Sequence, residues 1–458
     1  MGGGRHADVA GSEGPWAGRL RPVKSVVKRT TSDLRRHNRS ILLSALYVQG
    51  PTSRNRLTRV SGLSSATVSN VVSQLLAEGL IAEGGSEDSD GGRPRSVLEI
   101  RPDYGSVIGV DIGETHVRIG LFDWTLSVIA SEVYPIADTR LDAESVAALV
   151  LQGISDVTRA AGVDPADLLG VGVGVPGAVQ PDPRIAGRML VHAPTLGWSG
   201  VALGEMLAPG VAAPLMLDNC ARTLGQAEMW RGVGQGADRV VTALIGVGVG
   251  AALGSGTEGG TTGLAPATIE WGHTVIYAGG LPCRCGSRGC LEAYVGADAI
   301  LHRYQSTLGS QPFHAAGTEG RLAELTARAA TDPVAMETLE KIGEYIGIGI
   351  GNLINLLHPD LVVLSGWAGS VMGGVVLPTV RATAERHALS YLRGRTRIEV
   401  GRLGQEAVAM GAATLPVAHL LTTGGRRPEI MSGSGSGSGM GSVSGAVPGP
   451  GSGAGAWA

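Results

Sequence analysis

The chain has 458 residues, 43% of them hydrophobic, and a formal net charge of −3. This content supports two to four domains with buried cores and excludes a wholly disordered polypeptide. The charge is uneven, because the first 60 residues hold twelve Lys and Arg against three Asp and Glu. Such a basic leading segment on an acidic remainder predicts a polyanion partner.

No stretch of the chain resembles a signal peptide or a membrane span. The longest apolar run, residues 240–253, is too short to cross a bilayer and is interrupted by glycine. Four cysteines in a chain of this length are typical of a reducing compartment. We therefore expect a cytoplasmic protein without a membrane partner.

Residues 1–30 are glycine-rich and basic, and we predict a disordered arm there. Apolar residues then recur at helical spacing until Gly50-Pro51 ends the pattern. A short helix around 54–60 is followed by a turn, and Ser64 is a suitable N-cap for a second helix over 65–78. Two helices joined by a glycine-containing turn predict a helix-turn-helix.

A β-hairpin is expected after the second helix, with Gly-Gly-Arg-Pro-Arg at its tip and a strand over 96–100. Arginines held extended by proline suit a narrow minor groove, so the hairpin is interpreted as a wing. Residues 31–101 thus form a predicted winged helix-turn-helix that binds DNA. The alternative is a small helical module that only mediates dimerisation. The candidate DNA-binding residues are Arg54, Arg56 and Arg59 for phosphates, Ser65, Thr67 and Asn70 for base edges, and Arg93 and Arg95 on the wing.

Two glycine-rich turns mark the rest of the chain. Asp111-Ile112-Gly113-Glu114-Thr115 lies between two apolar, strand-like runs, and such a turn presents backbone amides and a hydroxyl to a phosphate. A second such segment, residues 246–250, reads Gly-Val-Gly-Val-Gly. The first turn is therefore a candidate phosphate-binding loop.

A cluster of metal-ligand residues follows. His273 precedes Cys283, Cys285 and Cys290, which are three of the four cysteines of the chain. This spacing predicts a Cys3His zinc site, and because all four positions come from protein the zinc would be structural. A disulfide or buried structural thiols are the alternatives.

These motifs together resemble the ROK family (repressor, open reading frame, kinase), above all in the segment 270–292 with its Glu-x-Gly-His and Cys-x-Cys-Gly-x-x-Gly-Cys-x-Glu pattern. The resemblance covers about residues 32 to 420. It implies an α/β, two-lobed, actin-like and hexokinase-like ROK domain over 104–422, with a structural zinc site. A tail over 423–458, rich in Gly and Ser, is expected to be disordered. The N-terminal winged helix is similar to that of the sugar-responsive repressors of the family.

The resemblance also implies that kinase chemistry is lost. The position of the catalytic aspartate of ROK sugar kinases matches Cys220, a usual asparagine matches Arg222, and a phosphate-contacting threonine matches Val247. Trp367 brings bulk to the adenosine region. For Cys220 we weigh three roles: a buried small hydrophobe, a redox-sensitive thiol, or part of a reshaped pocket in which Arg222 lowers its pKa or binds an anion.

The positions that contact sugar hydroxyls in the family match Asn219, Glu270, His273 and Glu292. Support of the zinc, or plain surface charge, is the alternative role for the two glutamates. We therefore expect a DNA-binding transcriptional regulator, most simply a repressor, that responds to a sugar or sugar derivative as a homodimer or homotetramer. Two alternatives are an active ATP-dependent sugar kinase with a regulatory DNA-binding domain, and a DNA-binding protein whose ROK body only dimerises.

Overall fold

The computed structural model describes residues 30–87, 95–136, 142–256 and 264–427. Its N-terminal part contains α1 (Thr31–Gln49), β1 (Thr52–Ser53), α2 (Arg54–Ser61), α3 (Ser65–Ala77), β2 (Ile81–Glu87) and β3 (Arg95–Ile100). The side chain of Ser64 caps α3 by accepting a hydrogen bond from the Thr67 amide. Strands β1, β3 and β2 pair antiparallel in that order beside the three helices. We call this part the head.

The first lobe of the body is built on a five-stranded sheet. Its elements are β4 (Ser106–Ile112), β5 (His116–Asp123), β6 (Val128–Pro135), α4 (Ala143–Ala161), β7 (Leu168–Val175), β8 (Ala178–Pro181), β9 (Met189–Ala193), β10 (Trp198–Val201), α5 (Leu203–Leu207) and β11 (Leu215–Asn219). The sheet order is β11-β7-β4-β5-β6, and β8, β9 and β10 form a small sheet of their own. Helix α6 (Cys220–Arg231) leaves the end of β11 and leads to the second lobe.

The second lobe repeats this arrangement. Its elements are β12 (Arg239–Ile245), β13 (Val249–Ser255), β14 (Leu264–Ile269), α7 (Glu292–Val295), α8 (Ala297–Gln305), α9 (Gly317–Arg328), α10 (Pro333–Leu357), β15 (Leu361–Ser365), α11 (Gly366–His387) and β16 (Arg397–Val400). In both sheets three antiparallel strands are extended by two parallel ones, in the order β14-β13-β12-β15-β16 here. The predicted two-lobed α/β fold is confirmed.

The last helix, α12 (Ala407–Thr422), returns to the first lobe and lies directly on its sheet. A Cβ atom on Gly172 of β7 would lie 1.9 Å from the Ala412 carbonyl oxygen, and one on Gly411 would lie 1.9 Å from the Thr223 carbonyl oxygen of α6. Only glycine permits such contact between backbones. Helix α12 is therefore held tightly against both β7 and α6.

The head packs against the end of α12. Its apolar residues share one core with Val417, Leu420 and Leu421 of that helix. The buried Arg39 of α1 donates a hydrogen bond to the Gly424 carbonyl oxygen (2.8 Å) and pairs with Glu78 at the end of α3 (2.7 and 2.5 Å). One guanidinium thus joins α1, the end of α3 and the segment after α12. In the described part of the chain, no helix is long and apolar enough to span a membrane.

Candidate functional site

Four potential metal ligands converge in the second lobe. His273 lies in a short 3-10 helix, and the three cysteines lie on the loop that leads into α7. All four ligand atoms lie within 4.8 Å of one another. Cys283 and Cys290 are buried, and Cys285 is exposed. The cluster predicted from spacing is therefore assembled, and it could hold a metal ion.

Two distances inside the cluster are close to those of tetrahedral coordination. Cys285 Sγ lies 3.7 Å from Cys290 Sγ, and Cys283 Sγ lies 3.7 Å from His273 Nδ1. A tetrahedral ion with metal–sulfur bonds of about 2.3 Å holds its sulfur ligands about 3.8 Å apart. A disulfide would need the sulfurs about 2.0 Å apart, and all four cysteines are free.

A cleft of about 530 Å³ separates the two lobes beside this cluster. Cavities of 300 to 1,000 Å³ are usual for small-molecule ligands. Asn219, Glu270, His273 and Glu292, the residues predicted to contact a ligand, all line it. They come from three separate segments, since Glu270 directly precedes the short 3-10 helix that ends at His273, and the fold brings these segments together.

Glu292 is buried and is fixed by two hydrogen bonds. Its Oε2 accepts from the Val249 amide (3.0 Å), and its Oε1 accepts from Arg284 Nε (2.8 Å). Arg284 also donates through Nη2 to the Val247 carbonyl oxygen (3.0 Å). Burial alone would raise the pKa of Glu292, but the Arg284 guanidinium holds it below its usual value. The carboxylate is thus oriented beside the cleft as a hydrogen-bond acceptor.

Asn219 closes the end of β11 and caps α6. Its Oδ1 accepts from the amides of Ala221 (2.9 Å) and Arg222 (3.2 Å), and its Nδ2 donates to the Gly177 carbonyl oxygen (2.5 Å). The residue therefore fixes the start of α6 in the wall of the cleft.

Cys220 follows at the first position of α6. Burial, together with the Asp111 and Glu114 carboxylates, raises the pKa of its thiol well above the usual value. The idea that Arg222 lowers this pKa is therefore wrong. Arg222 Nη1 pairs with Asp218 Oδ1 at 3.1 Å, and Arg222 is not among the residues that line the cleft. A protonated thiol cannot accept a proton from a sugar hydroxyl.

A second cavity lies on the other side of Cys220, between the Asp111–Thr115 turn and Trp367, and has a volume of only about 50 Å³. The Trp367 indole approaches the turn after β12, since a Cβ atom on Gly246 would lie 3.1 Å from its Nε1. The Trp367 side chain thus lies against the small cavity, as expected from the sequence. A space of this size is far below that of a usual ligand pocket.

His116 joins the two lobes at the edge of the small cavity. Its Nδ1 lies 3.0 Å from Glu319 Oε1 of α9, and its Nε2 lies 3.5 Å from Asp111 Oδ2 of β4. The Thr115 hydroxyl donates to the same Glu319 oxygen (2.9 Å). Burial alone would lower the pKa of His116, but the two carboxylates raise it to about 9. The histidine is therefore a buried imidazolium at neutral pH.

This ion pair predicts a pH-dependent stability. Because the pKa of His116 is raised on folding, its contribution is complete below the unfolded value of about 6.5 and is lost as pH rises through about 9. The loss is at most about 3 kcal/mol in the free energy of unfolding. Urea unfolding across this range should show it in the wild type. His116→Asn should lack it, and His314→Asn, which changes an exposed histidine paired with Glu324, should keep it.

The head presents several of the residues predicted to bind DNA. Arg56, Arg59, Ser65 and Asn70 are exposed, and Thr67 is half-buried. Arg54 pairs with Glu83 of β2 at 2.6 Å. Arg93 and the side chain of Arg95 lie outside the described residues, as do the predicted arm up to residue 29 and the tail from residue 428. The prediction of a disordered tail from residue 423 is wrong for residues 423–427, because Gly424 is buried and accepts a hydrogen bond from Arg39.

Several residues of the site were not predicted. Glu114, His192, Thr195 and Arg284 line the large cleft, and Ser69 and Ser73 are exposed on α3 beside Asn70. Glu114 and Arg284 are charged residues inside segments that are otherwise glycine- or cysteine-rich. That contrast was a signal that could have identified them.

Comparison with known protein families identifies the body of the chain. The model of the ROK family matches residues 107–418. The chain is 29% identical to the xylose repressor of Caldicellulosiruptor bescii over 404 residues, which are 85% of this chain and 97% of that one. It is 28% identical to the glucokinase of Halalkalibacterium halodurans over 323 residues, which are 67% of this chain and 94% of that one. The repressor thus aligns with more of this chain than the kinase does.

Solved structures show the same difference. A ROK family transcriptional regulator described as a homologue of the Escherichia coli Mlc protein matches 86% of this chain and 98% of its own, with a TM-score of 0.68 and 24% identity, which supports the fold. A ROK family glucokinase of Streptomyces griseus matches 68% of this chain and 99% of its own, with a TM-score of 0.57 and 26% identity. The chain belongs to the ROK family.

Proposed function

We propose that this protein is a sugar-responsive transcriptional repressor in which the head binds operator DNA and the interlobe cleft binds the sugar. The observation that carries the proposal is the joining of a helix-turn-helix head to a sugar-sized cleft. Repressor relatives align with head and body together, whereas glucokinase relatives align with about two thirds of the chain. The xylose repressors among the relatives point to sugar-linked genes as targets, and NagC is a further DNA-binding transcriptional regulator among them.

The head has the layout of a winged helix-turn-helix. Helix α3 would enter the major groove, with Ser65, Thr67 and Asn70 facing base edges, and the β2–β3 hairpin would be the wing. The arginines of α2 and of the wing would contact phosphates or the minor groove. Two heads in a homodimer or homotetramer would read two half-sites.

Substitutions in the head should separate affinity from specificity. Arg59→Ala should weaken binding to operator and unrelated DNA alike. It should also reduce the slope of log affinity against log salt concentration by about 1, the value for one lost phosphate contact. Asn70→Ala should instead cost about 1 to 3 kcal/mol on the operator and little on unrelated DNA. Fluorescence anisotropy at several salt concentrations measures both effects.

Arg159→Ala is the matched control for these variants. Arg159 is an exposed arginine on α4 of the body, so DNA affinity should stay at the wild-type value. Equal losses for Arg159→Ala and Arg59→Ala would contradict an assignment of DNA binding to the head.

A zinc ion fits the His273, Cys283, Cys285 and Cys290 cluster best. Three thiolates and one imidazole at tetrahedral spacing favour zinc, and four protein ligands leave no position for a reacting water. The ion would have a structural role. It would hold Glu292, two residues after Cys290, in place beside His273 and Glu270.

In the proposed repressor, the sugar kinase activity of the family is lost. Cys220 occupies the position of the general base. The small cavity beside Trp367, where a nucleotide would bind, has a volume of only about 50 Å³. The glucokinase relatives make an active sugar kinase the second candidate. Incubation with ATP and a panel of sugars decides between them, and we expect no release of ADP above the protein-free rate. Turnover that survives Cys220→Ala would require a different catalytic residue.

A short chain of contacts connects the sugar cleft to the DNA-binding head. Asn219 caps α6 in the cleft wall, α6 contacts α12 through Gly411, and the segment after α12 binds Arg39 of the head. Closure of the cleft would therefore move α12 and reorient the heads. A change in head spacing changes affinity for two fixed half-sites.

Operator affinity measured with and without each sugar of a panel tests the whole proposal. One sugar should change the affinity at least about tenfold, which equals about 1.4 kcal/mol of coupling. Thermal shift with the same panel is the companion measurement. If no compound shifts either quantity, the body only dimerises the head and the sensor proposal is wrong.

A further inference from the structure

The two lobes meet at equivalent turns. Residues 113–115 join β4 to β5 in the first lobe, and residues 246–248 join β12 to β13 in the second. Each turn connects the first two strands of its sheet, and the two sheets have the same order. Glycine-containing turns of this kind present backbone amides to an anion. The space between them is thus a natural position for a phosphate group.

A side chain of the protein lies in that space. A Cβ atom on Gly248 would lie 3.0 Å from Glu114 Oε1, 3.5 Å from Arg284 Nη2 and 3.8 Å from Glu292 Oε2. Glu114 therefore reaches from the turn of the first lobe to the turn of the second. Its carboxyl group lies near a guanidinium, as a bound phosphate would.

Glu114 also separates the two cavities. It lines both the large cleft and the small cavity, together with Pro176, Cys220 and Leu244. A phosphoryl group that passed from a nucleotide to a sugar would have to cross this partition. The chemistry is therefore blocked by a filled position as well as by the missing base at Cys220.

We propose that the Glu114 carboxyl group occupies the phosphate position between the two turns and so excludes phosphate-bearing ligands. The carboxylates of Asp111 and Glu292 also lie near Glu114 and would repel a polyphosphate, against the attraction of the Arg284 guanidinium. This role does not depend on an operator response. If the sugar-sensing proposal were wrong, the role of Glu114 could still be correct. If the role of Glu114 were wrong, the sugar-sensing proposal could still be correct.

Calorimetric titration with inorganic tripolyphosphate tests the proposal. The wild type should show no binding at concentrations up to about 10 mM. Glu114→Gly, which empties the position, should bind at least about tenfold more tightly than the wild type. Glu114→Gln keeps the volume and should gain clearly less than the glycine variant. Glu114→Ala is a second variant that empties the position if the glycine variant does not fold.

Three results would overturn the proposal. They are tight tripolyphosphate binding by the wild type, no gain in either variant that empties the position, and an equal gain in Glu114→Gln. The control is Glu132→Gln, which removes an exposed carboxylate from the same lobe. It should behave as the wild type, and a gain equal to that of the glycine variant would assign the effect to bulk charge.

Discussion

Replacement of Cys290 by serine is expected to remove the metal from the cluster and to weaken ligand binding at least about 100-fold. Cys290 is fully buried, and the loop it belongs to leads directly into α7, where Glu292 begins the helix. A structural zinc ion contributes about 10 kcal/mol or more to the folding of its local segment. Without it, Glu292 and Arg284 would lose their fixed positions. Plasma mass spectrometry for metal content and calorimetry with the active sugar measure the two effects.

Cys220→Ser is the control for metal content. Cys220 lies outside the cluster, so this variant should retain one metal ion per chain. A Cys290→Ser protein that retains its full metal content would exclude Cys290 as a ligand. Absence of metal from the wild type as well as from both variants, together with normal ligand binding, would show that the cluster is not a metal centre.

Arg39→Ala is expected to uncouple the head from the body. The side chain of Arg39 is only 9% exposed, and it joins Gly424 to Glu78. Its removal leaves a buried carbonyl oxygen without its donor and Glu78 without its cation, a loss of about 2 to 3 kcal/mol. We expect sugar to change operator affinity less than about twofold in this variant. Faster hydrogen exchange in α1 and α3 would show the loosened contact directly.

Arg36→Ala is the matched control on the same helix. The side chain of Arg36 is 47% exposed, and its nearest described acidic partner, Asp33, lies 3.9 Å away. An exposed pair of this kind contributes less than about 1 kcal/mol. The control should keep the sugar response. If Arg39→Ala also keeps the full response, coupling does not pass through the end of α12.

Much of the head was predictable because its signals are local. Ser64 caps α3 as expected, and α3 spans Ser65–Ala77 against a predicted 65–78. The metal cluster was predictable for a similar reason, because three of its ligands lie within eight residues of one another. Capping and ligand spacing depend on neighbours in the chain, which the sequence displays directly.

The features that were missed depend on long-range contacts. Glu114 and Gly248 are far apart in the chain, and they meet only because the two sheets have equivalent turns. The contact between Arg39 and Gly424 spans 385 positions. Nothing in the local pattern around Arg39 distinguishes it from its exposed neighbours Arg35 and Arg36. Its burial follows from the return of α12, which no periodicity near α1 indicates.

The position of α12 also has a consequence for synthesis. A ribosome completes the head within the first hundred residues, but the helix on which the head rests comes some three hundred residues later. Until then the first lobe lacks the helix that covers β4 and β7, and Arg39 lacks its carbonyl partner. Domains fold as they emerge, so a nascent or truncated chain would carry a head without its support. Competence to respond to sugar would therefore arise only when translation has passed residue 424.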